Sequence, residues 1–100
     1  MSQIEEVLGY LGEPYFITKR DGEDVISRTF ENLEFEVSGL HKKGIKCSLY
    51  VWMTRPHTEL MGIYHNIRNK EDLRDLLGYC AVKYQNLLSR IQVEREDQIR

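Results

Sequence analysis

The chain has no apolar run long enough to cross a membrane. A membrane-spanning helix needs roughly 18 or more consecutive apolar residues, and charged side chains interrupt every such stretch of this sequence. The first residues, Met1 to Glu6, are acidic and lack the basic and apolar segments of a secretory signal peptide. We therefore expect a cytoplasmic protein that does not enter a membrane.

Cysteine is scarce, since Cys47 and Cys80 are the only two in the sequence. Each falls on the apolar face of a different predicted element. The sequence therefore predicts two buried free thiols rather than a disulfide, which agrees with a reducing compartment. Apolar surroundings also raise the pKa of a thiol and reduce its reactivity, so a cysteine nucleophile is not expected.

The motifs of common enzyme classes are also missing. The sequence contains no G-x-S-x-G, no H-E-x-x-H, no C-x-x-C and no P-loop. Its three histidines, His41, His57 and His65, never stand at the spacing by which helical residues share a metal ion. We therefore predict no enzyme activity, no cofactor and no metal site.

Charge is nearly balanced overall, at −2, but it is unevenly distributed. Residues 1–40 carry nine acidic and three basic side chains, whereas residues 41–70 carry one acidic and six basic side chains. A basic segment is typical of a protein with an anionic partner, but it also arises when acidic and basic segments neutralise each other within a fold. A chain of 100 residues is expected to form one domain, because a second would lack a core of its own.

The periodicity predicts an α+β fold. We expect an N-terminal helix, a five-strand antiparallel meander and a long C-terminal helix packed on one sheet face. Ser2 and Glu5 form a capping box at the first helix, and Asp21-Gly22 suits a tight hairpin turn. Asn69 caps the last helix, whose residues 94–100 have little left to bury and are expected to fray or project. The predicted strands cover residues 15–20, 23–30, 33–40, 45–54 and 59–67.

The hydrophobic pattern also predicts the strand register. Ile17 faces Ile26 across the first hairpin, and Phe35 faces Val51 across the second. The fifth strand is less cleanly patterned. Its favoured parity turns Met61 and Ile63 to the core and sets Tyr64 across from Tyr50, whereas the opposite parity buries Leu60 and Tyr64.

The fourth predicted strand, Ile45 to Thr54, is the most informative stretch. Its odd-numbered residues are apolar, and its even-numbered face carries Tyr50 and Trp52. Aromatic side chains each bury roughly 150–250 Å², so something should cover these rings. Candidate site residues on this outer face are Glu34, Glu36, Lys46, Tyr50, Trp52, Leu60 and Tyr64.

The sequence leaves three alternatives for what covers the aromatic face. The first is the N-terminal helix, and the second is a protein partner, most simply a second copy of the chain in a homodimer. The third is single-stranded nucleic acid, with bases on the rings and phosphates on the basic 41–70 segment, although Glu34 and Glu36 oppose it. We therefore expect a non-enzymatic interaction or regulatory module, with a small single-stranded nucleic-acid-binding protein as the alternative.

Overall fold

A computed structural model describes the backbone of residues 2–99 and the side chains of residues 2–90. Five strands form a single antiparallel sheet in the order β1-β2-β3-β4-β5, flanked in sequence by two helices. This is the predicted α+β architecture. The expectation for residues 94–100 lies outside the described side chains. The elements are α1 Gln3–Leu11, β1 Phe16–Arg20, β2 Glu23–Thr29, β3 Leu33–Ser38, β4 Cys47–Met53, β5 Glu59–Ile67 and α2 Lys70–Ile99.

The first helix begins and ends where local chemistry dictates. The Ser2 Oγ accepts a hydrogen bond from the Glu5 backbone N–H at 3.4 Å and donates one to the Glu5 carboxylate at 2.8 Å. At the other end, Gly12 has a φ of 74°, and its N–H donates to the Leu8 carbonyl at 2.8 Å. These caps orient the helix so that Ile4 and Val7 are buried.

Both helices pack on the same face of the sheet. Ile4 and Val7 of α1 belong to the same buried cluster as Leu73 and Leu77 of α2. The alternative in which α1 covers the aromatic face is therefore wrong. The strands contribute to this cluster the residues Ile26, Leu33, Phe35, Val37, Cys47, Leu49, Val51 and Ile67.

The helix α2 contacts the core through residues spaced three or four apart, as an amphipathic helix requires. Leu73, Leu77, Cys80 and Tyr84 are each at most 4% exposed. Leu87, which the periodicity also assigns to this stripe, is 38% exposed. The apolar stripe of α2 is therefore less buried toward the C-terminal end of the described side chains.

The registers of β1 with β2 and of β3 with β4 are as predicted. Ile17 pairs with Ile26, and Phe35 pairs with Val51. On the outer face, Glu36 lies opposite Tyr50 and Glu34 lies opposite Trp52. The two turn positions Asp21 and Gly22 have φ angles of 53° and 79°, as the tight hairpin demands.

The favoured parity of the fifth strand holds for Met61, which packs against the core, but is wrong for Ile63 and Tyr64. Tyr64 lies opposite Leu49 on the core face, whereas Ile63 lies opposite Tyr50 on the outer face. Leu60 nevertheless pairs with Trp52, because the register shifts between Val51 and Trp52. A bulge inserts an extra residue and changes which side chains share a face, so no single parity describes this strand.

A buried polar contact accompanies this bulge. The hydroxyl oxygens of Tyr64 and Tyr84 lie 2.8 Å apart, which gives the half-buried Tyr64 and the buried Tyr84 each a hydrogen-bond partner. Gly62 lies beside them, and a Cβ atom there would collide with the Tyr84 hydroxyl. The glycine thus provides the space in which the tyrosine of α2 reaches β5.

We expect Gly62→Ala to destabilise the fold by about 1–3 kcal/mol, the usual cost of overpacking a core. In a Tyr84→Phe background the cost should be smaller, because the colliding oxygen is gone. Urea denaturation of the two single variants and the double variant measures this coupling.

Gly78→Ala is the matched control, since a Cβ at that exposed position of α2 meets nothing within 4 Å. It should stabilise the protein by about 0.5–1 kcal/mol through helix propensity. If Gly62→Ala lowers the free energy of unfolding equally with Tyr84 present and in the Tyr84→Phe variant, the Tyr84 hydroxyl is not what requires a glycine at this position.

Candidate functional site: the outer face of the sheet

The outer face is the side of the sheet opposite the helices. One row of side chains crosses all five strands there, because Phe16 pairs with Ser27, Ser27 with Glu36, Glu36 with Tyr50, and Tyr50 with Ile63. Neither α1 nor the described side chains of α2 join this face, since their buried residues belong to the opposite cluster.

Large apolar side chains stay exposed on the outer face. Phe16 is 42%, Leu60 39% and Ile63 44% exposed. Tyr50 and Trp52 between them are half-buried. Leu60 and Ile63 lie directly opposite Trp52 and Tyr50, whereas Ser27 and Glu36 separate Phe16 from Tyr50 in the same row. Exposed apolar side chains beside half-buried aromatic rings are typical of interaction surfaces.

One end of the outer face is acidic. A groove of about 350 Å³ there is lined by Trp52, by three carboxylates and by one cation. Arg20, beside the β1–β2 turn, forms an ion pair with Glu34. This contact draws the hairpin tip toward Trp52, which is a partial cover that none of the sequence-based alternatives included. The lining residues are Arg20, Asp21, Glu34, Glu36, Trp52, Thr54 and Thr58.

Glu36 is the unusual carboxylate of this acidic end. Burial raises the pKa of Glu36 above its ordinary value. The Arg20 charge lowers this pKa, the Glu34 charge raises it further, and the Trp52 indole lowers it by hydrogen bonding. Among the residues with described side chains, no cation lies within 4.0 Å of its carboxylate. Glu36 is therefore a half-buried acid whose charged form lacks an ion-pair partner in a single copy.

The other end of the outer face is basic. A groove of about 630 Å³ contains three lysines, two histidines and only one carboxylate. That carboxylate, Glu23, lies 3.4 Å from the His41 ring and accepts a 2.8 Å hydrogen bond from the Gly39 N–H. The charged and titratable lining residues are Glu23, His41, Lys42, Lys43, Lys46 and His65.

The middle of the face joins the two ends. The Ser48 Oγ lies 2.8 Å from the His65 Nδ1, and the His65 ring meets Tyr50 edge-on with 6.3 Å between ring centres. Tyr50 thus stands between the acidic groove and the basic groove. The outer face therefore carries opposite charges at its two ends.

The structure brings six of the seven predicted site residues onto this face. Glu34, Glu36, Trp52 and Leu60 lie toward the acidic end, Tyr50 lies in the middle and Lys46 lines the basic groove. Tyr64 is the exception. It packs against the core and bonds to Tyr84, because the bulge in the β4–β5 pairing turns it inward.

Sequence reasoning missed Phe16, Ile63 and the hairpin tip. The predicted register already implied Phe16, since its neighbour Ile17 was assigned to the core and adjacent strand residues point to opposite faces. The opposite parity of the fifth strand, which buries Tyr64, places Ile63 on the outer face, but the sequence pattern favoured the other parity. The approach of Arg20 to Glu34 depends on the curvature of the folded sheet.

The two cysteines belong to the core cluster and not to the outer face. Cys47 and Cys80 are buried free thiols, and burial raises the pKa of Cys47 to about 11, so its nucleophilic thiolate is scarce at neutral pH. Among the described residues, no group of three histidine, cysteine, aspartate or glutamate side chains is placed to hold a metal ion. No described helix is both long and apolar enough to span a bilayer.

Comparisons with known proteins assign no family to this chain. No protein-family model matches it, and neither a curated protein nor a solved structure does. Its candidate site is a sheet face without a helix on it, with exposed apolar side chains and opposite charges at its ends.

We expect Glu36→Gln to raise the thermal unfolding midpoint at pH 7. A carboxyl whose native pKa is raised contributes stability that is complete below its unfolded-state pKa and is lost as pH rises through the native pKa. Glutamine cannot ionise, so the Glu36→Gln variant does not lose this stability at pH 7. The gain should stay below about 1 kcal/mol, because the carboxylate remains partly solvated.

Thermal denaturation of dilute protein at neutral and acidic pH measures this effect. The gain should disappear below about pH 4, where the unfolded-state carboxyl is also protonated. Glu13→Gln, at an exposed loop position, is the matched control. A lower midpoint for Glu36→Gln at pH 7 would show instead that the charged carboxylate stabilises the fold.

Proposed function

We propose that this protein is a non-enzymatic interaction or regulatory module that self-associates through its outer sheet face. The observation that carries the proposal is the one-sided packing of the helices. Both apolar helix stripes join the core on one side, while Phe16, Leu60 and Ile63 remain exposed on the other.

The chemistry of the face supports protein association. Tyrosine and tryptophan are favoured anchors of protein interfaces, because they bury much area and lose little side-chain entropy. Tyr50 and Trp52 occupy the centre and one end of the face. A second copy is the simplest partner, since one surface then serves both sides of a symmetric interface. A reducing, cytoplasmic setting is part of the proposal and is supported by the two free thiols.

Ile63→Glu should abolish self-association, or raise its dissociation constant at least ~10-fold, because an unpaired carboxylate would be buried at the interface. Val82→Glu is the control, since it makes the same change at a residue of α2 that is 62% exposed. Trp52→Ala should also weaken association while leaving the fold intact. Sedimentation equilibrium over a range of protein concentrations measures all of these.

The far-ultraviolet circular dichroism of each variant checks that the fold survives. A wild-type chain that stays monomeric at every concentration, and recovers no partner in a pull-down, would remove the proposal. Equal weakening by Ile63→Glu and Val82→Glu would also remove it, because the effect would then not belong to the outer face.

Single-stranded nucleic-acid binding is the second candidate function, and the basic groove favours it. Lys42, Lys43 and Lys46 line that groove beside Ser48 and His65. Other placements weaken this candidate. Trp52 lies in the acidic groove with Glu34 and Glu36, and Arg55 follows the opposite end of β4. The candidate base-stacking ring thus lies in a groove where three carboxylates outnumber one cation, Arg20, so its surroundings repel phosphate.

We expect a fluorescence titration of the protein with mixed single-stranded oligonucleotides at low salt to be flat. The competing hypothesis predicts instead a salt-sensitive signal that is lost in Lys46→Glu and in Trp52→Ala. Such binding would replace self-association as the function of this face.

A further inference from the structure

We infer that the self-associated form is a two-fold symmetric dimer in which the acidic end of one outer face lies on the basic end of the other. The symmetry axis lies between the two faces and runs across the strands. The inference rests on the proposed self-association and adds the orientation of the copies and the residues that determine it.

The charges change sign along the central strands. Trp52 and Glu34 pair at one end, and Tyr50 and Glu36 pair one row further along. Ser48 and Ser38 follow, and Lys46 stands just before β4 begins. At about 3.4 Å per residue, the Lys46 position lies roughly 14 Å from the Glu36 row. On β3 and β4 the acidic and basic ends are thus separated along the strands, while the β1–β2 turn contributes Asp21 to the acidic groove and Glu23 to the basic groove.

Two simple face-to-face arrangements follow from this layout. A two-fold axis parallel to the strands places the acidic end of one copy on the acidic end of the other, and the basic end on the basic end. Carboxylates then face carboxylates, and lysines face lysines. An axis across the strands reverses the strand direction and places Glu36 of one copy over the Lys46 region of the other. Like charges in contact cost free energy and opposite charges direct docking, so the second arrangement is favoured.

The ion pairs within one copy leave the required groups available. Glu34 is engaged by Arg20, and Glu23 lies beside His41. Within the described side chains, no carboxylate lies within 4.0 Å of Lys42, Lys43 or Lys46. Glu36 and Asp21 are the carboxylates of the acidic groove that have no cation within 4.0 Å among the described side chains. Glu36 is half-buried on β3 whereas Asp21 is exposed at the turn, so Glu36 gains more from a second copy's lysines.

The size of the face predicts how tight such a dimer is. Five strands about 4.8 Å apart and roughly six residues long give a footprint of roughly 500 Å². A standard stable interface buries about 800 Å² on each partner. We therefore expect a weak dimer that needs the flanking loops, depends on protein concentration and loosens as salt is added.

The test is a charge exchange between Lys46 and Glu36. In a Lys46→Glu homodimer both contacts become acid against acid, and in a Glu36→Lys homodimer both become base against base. Each variant alone should have its dissociation constant raised about 10-fold. When the two are mixed, both contacts in the mixed dimer pair opposite charges, so association should return to within about threefold of the wild type.

The control is a mixture of Lys83→Glu with Asp75→Lys, two changes on α2, which should associate like the wild type whether separate or mixed. Analytical ultracentrifugation with one variant fluorescently labelled detects the mixed dimer directly. Circular dichroism checks each variant's fold, and Glu36→Gln, which removes charge without reversing it, should weaken association less than Glu36→Lys.

The outcomes separate this inference from the function on which it rests. If Ile63→Glu abolishes association but mixing the charge variants does not restore it, the reversed orientation is wrong and self-association through the face stands. If the wild type does not associate at all, both fall. Recovery in the mixture, together with unaffected controls, supports the reversed dimer.

Discussion

The packing of both helices against one face of the sheet is the constraint on which the rest of the structure depends. Each buried aliphatic or aromatic side chain contributes about 1.5–3 kcal/mol, and the Leu49 face offers apolar partners to both helix stripes. The opposite face offers Glu34 and Glu36 next to Trp52. An apolar helix lying there would have to remove the Glu36 carboxylate from water without an ion-pair partner, which is costly. The core is therefore one-sided, and the other side of the sheet is left to solvent or to a second molecule.

The one-sided core also explains the irregular fifth strand. Tyr84 of α2 reaches β5 with a polar hydroxyl that needs a partner in a buried place, and Tyr64 supplies it. Gly62 provides the room, and the register shift lets Tyr64 turn inward while Leu60 and Ile63 turn outward. A requirement of the core thus adds two apolar side chains to the outer face. Packing on one side of the sheet shapes the surface on the other.

The same separation accounts for the uneven distribution of charge along the sequence. The acidic first 40 residues and the basic middle segment do not simply neutralise each other when the chain folds. Some contacts of that kind do form, as between Glu23 and His41. The carboxylates around Trp52 and the lysines of the 41–46 loop nevertheless end at opposite ends of one surface. The proposed dimer uses this arrangement, since such a surface is complementary to a reversed copy of itself.

Local and pairwise patterns in the sequence determined much of this protein. The capping box at Ser2, the Asp21-Gly22 turn and the alternation of β4 depend on residues close in the chain. The elements, and the registers of β1 with β2 and of β3 with β4, were therefore predictable. Tertiary structure alone decided which face α1 covers, how β5 bulges and where Arg20 lands. Each of these depends on contacts between residues far apart in sequence, such as Tyr64 with Tyr84 or Arg20 with Glu34. No local periodicity records such contacts, because they form only when the sheet has curved and the helices have docked.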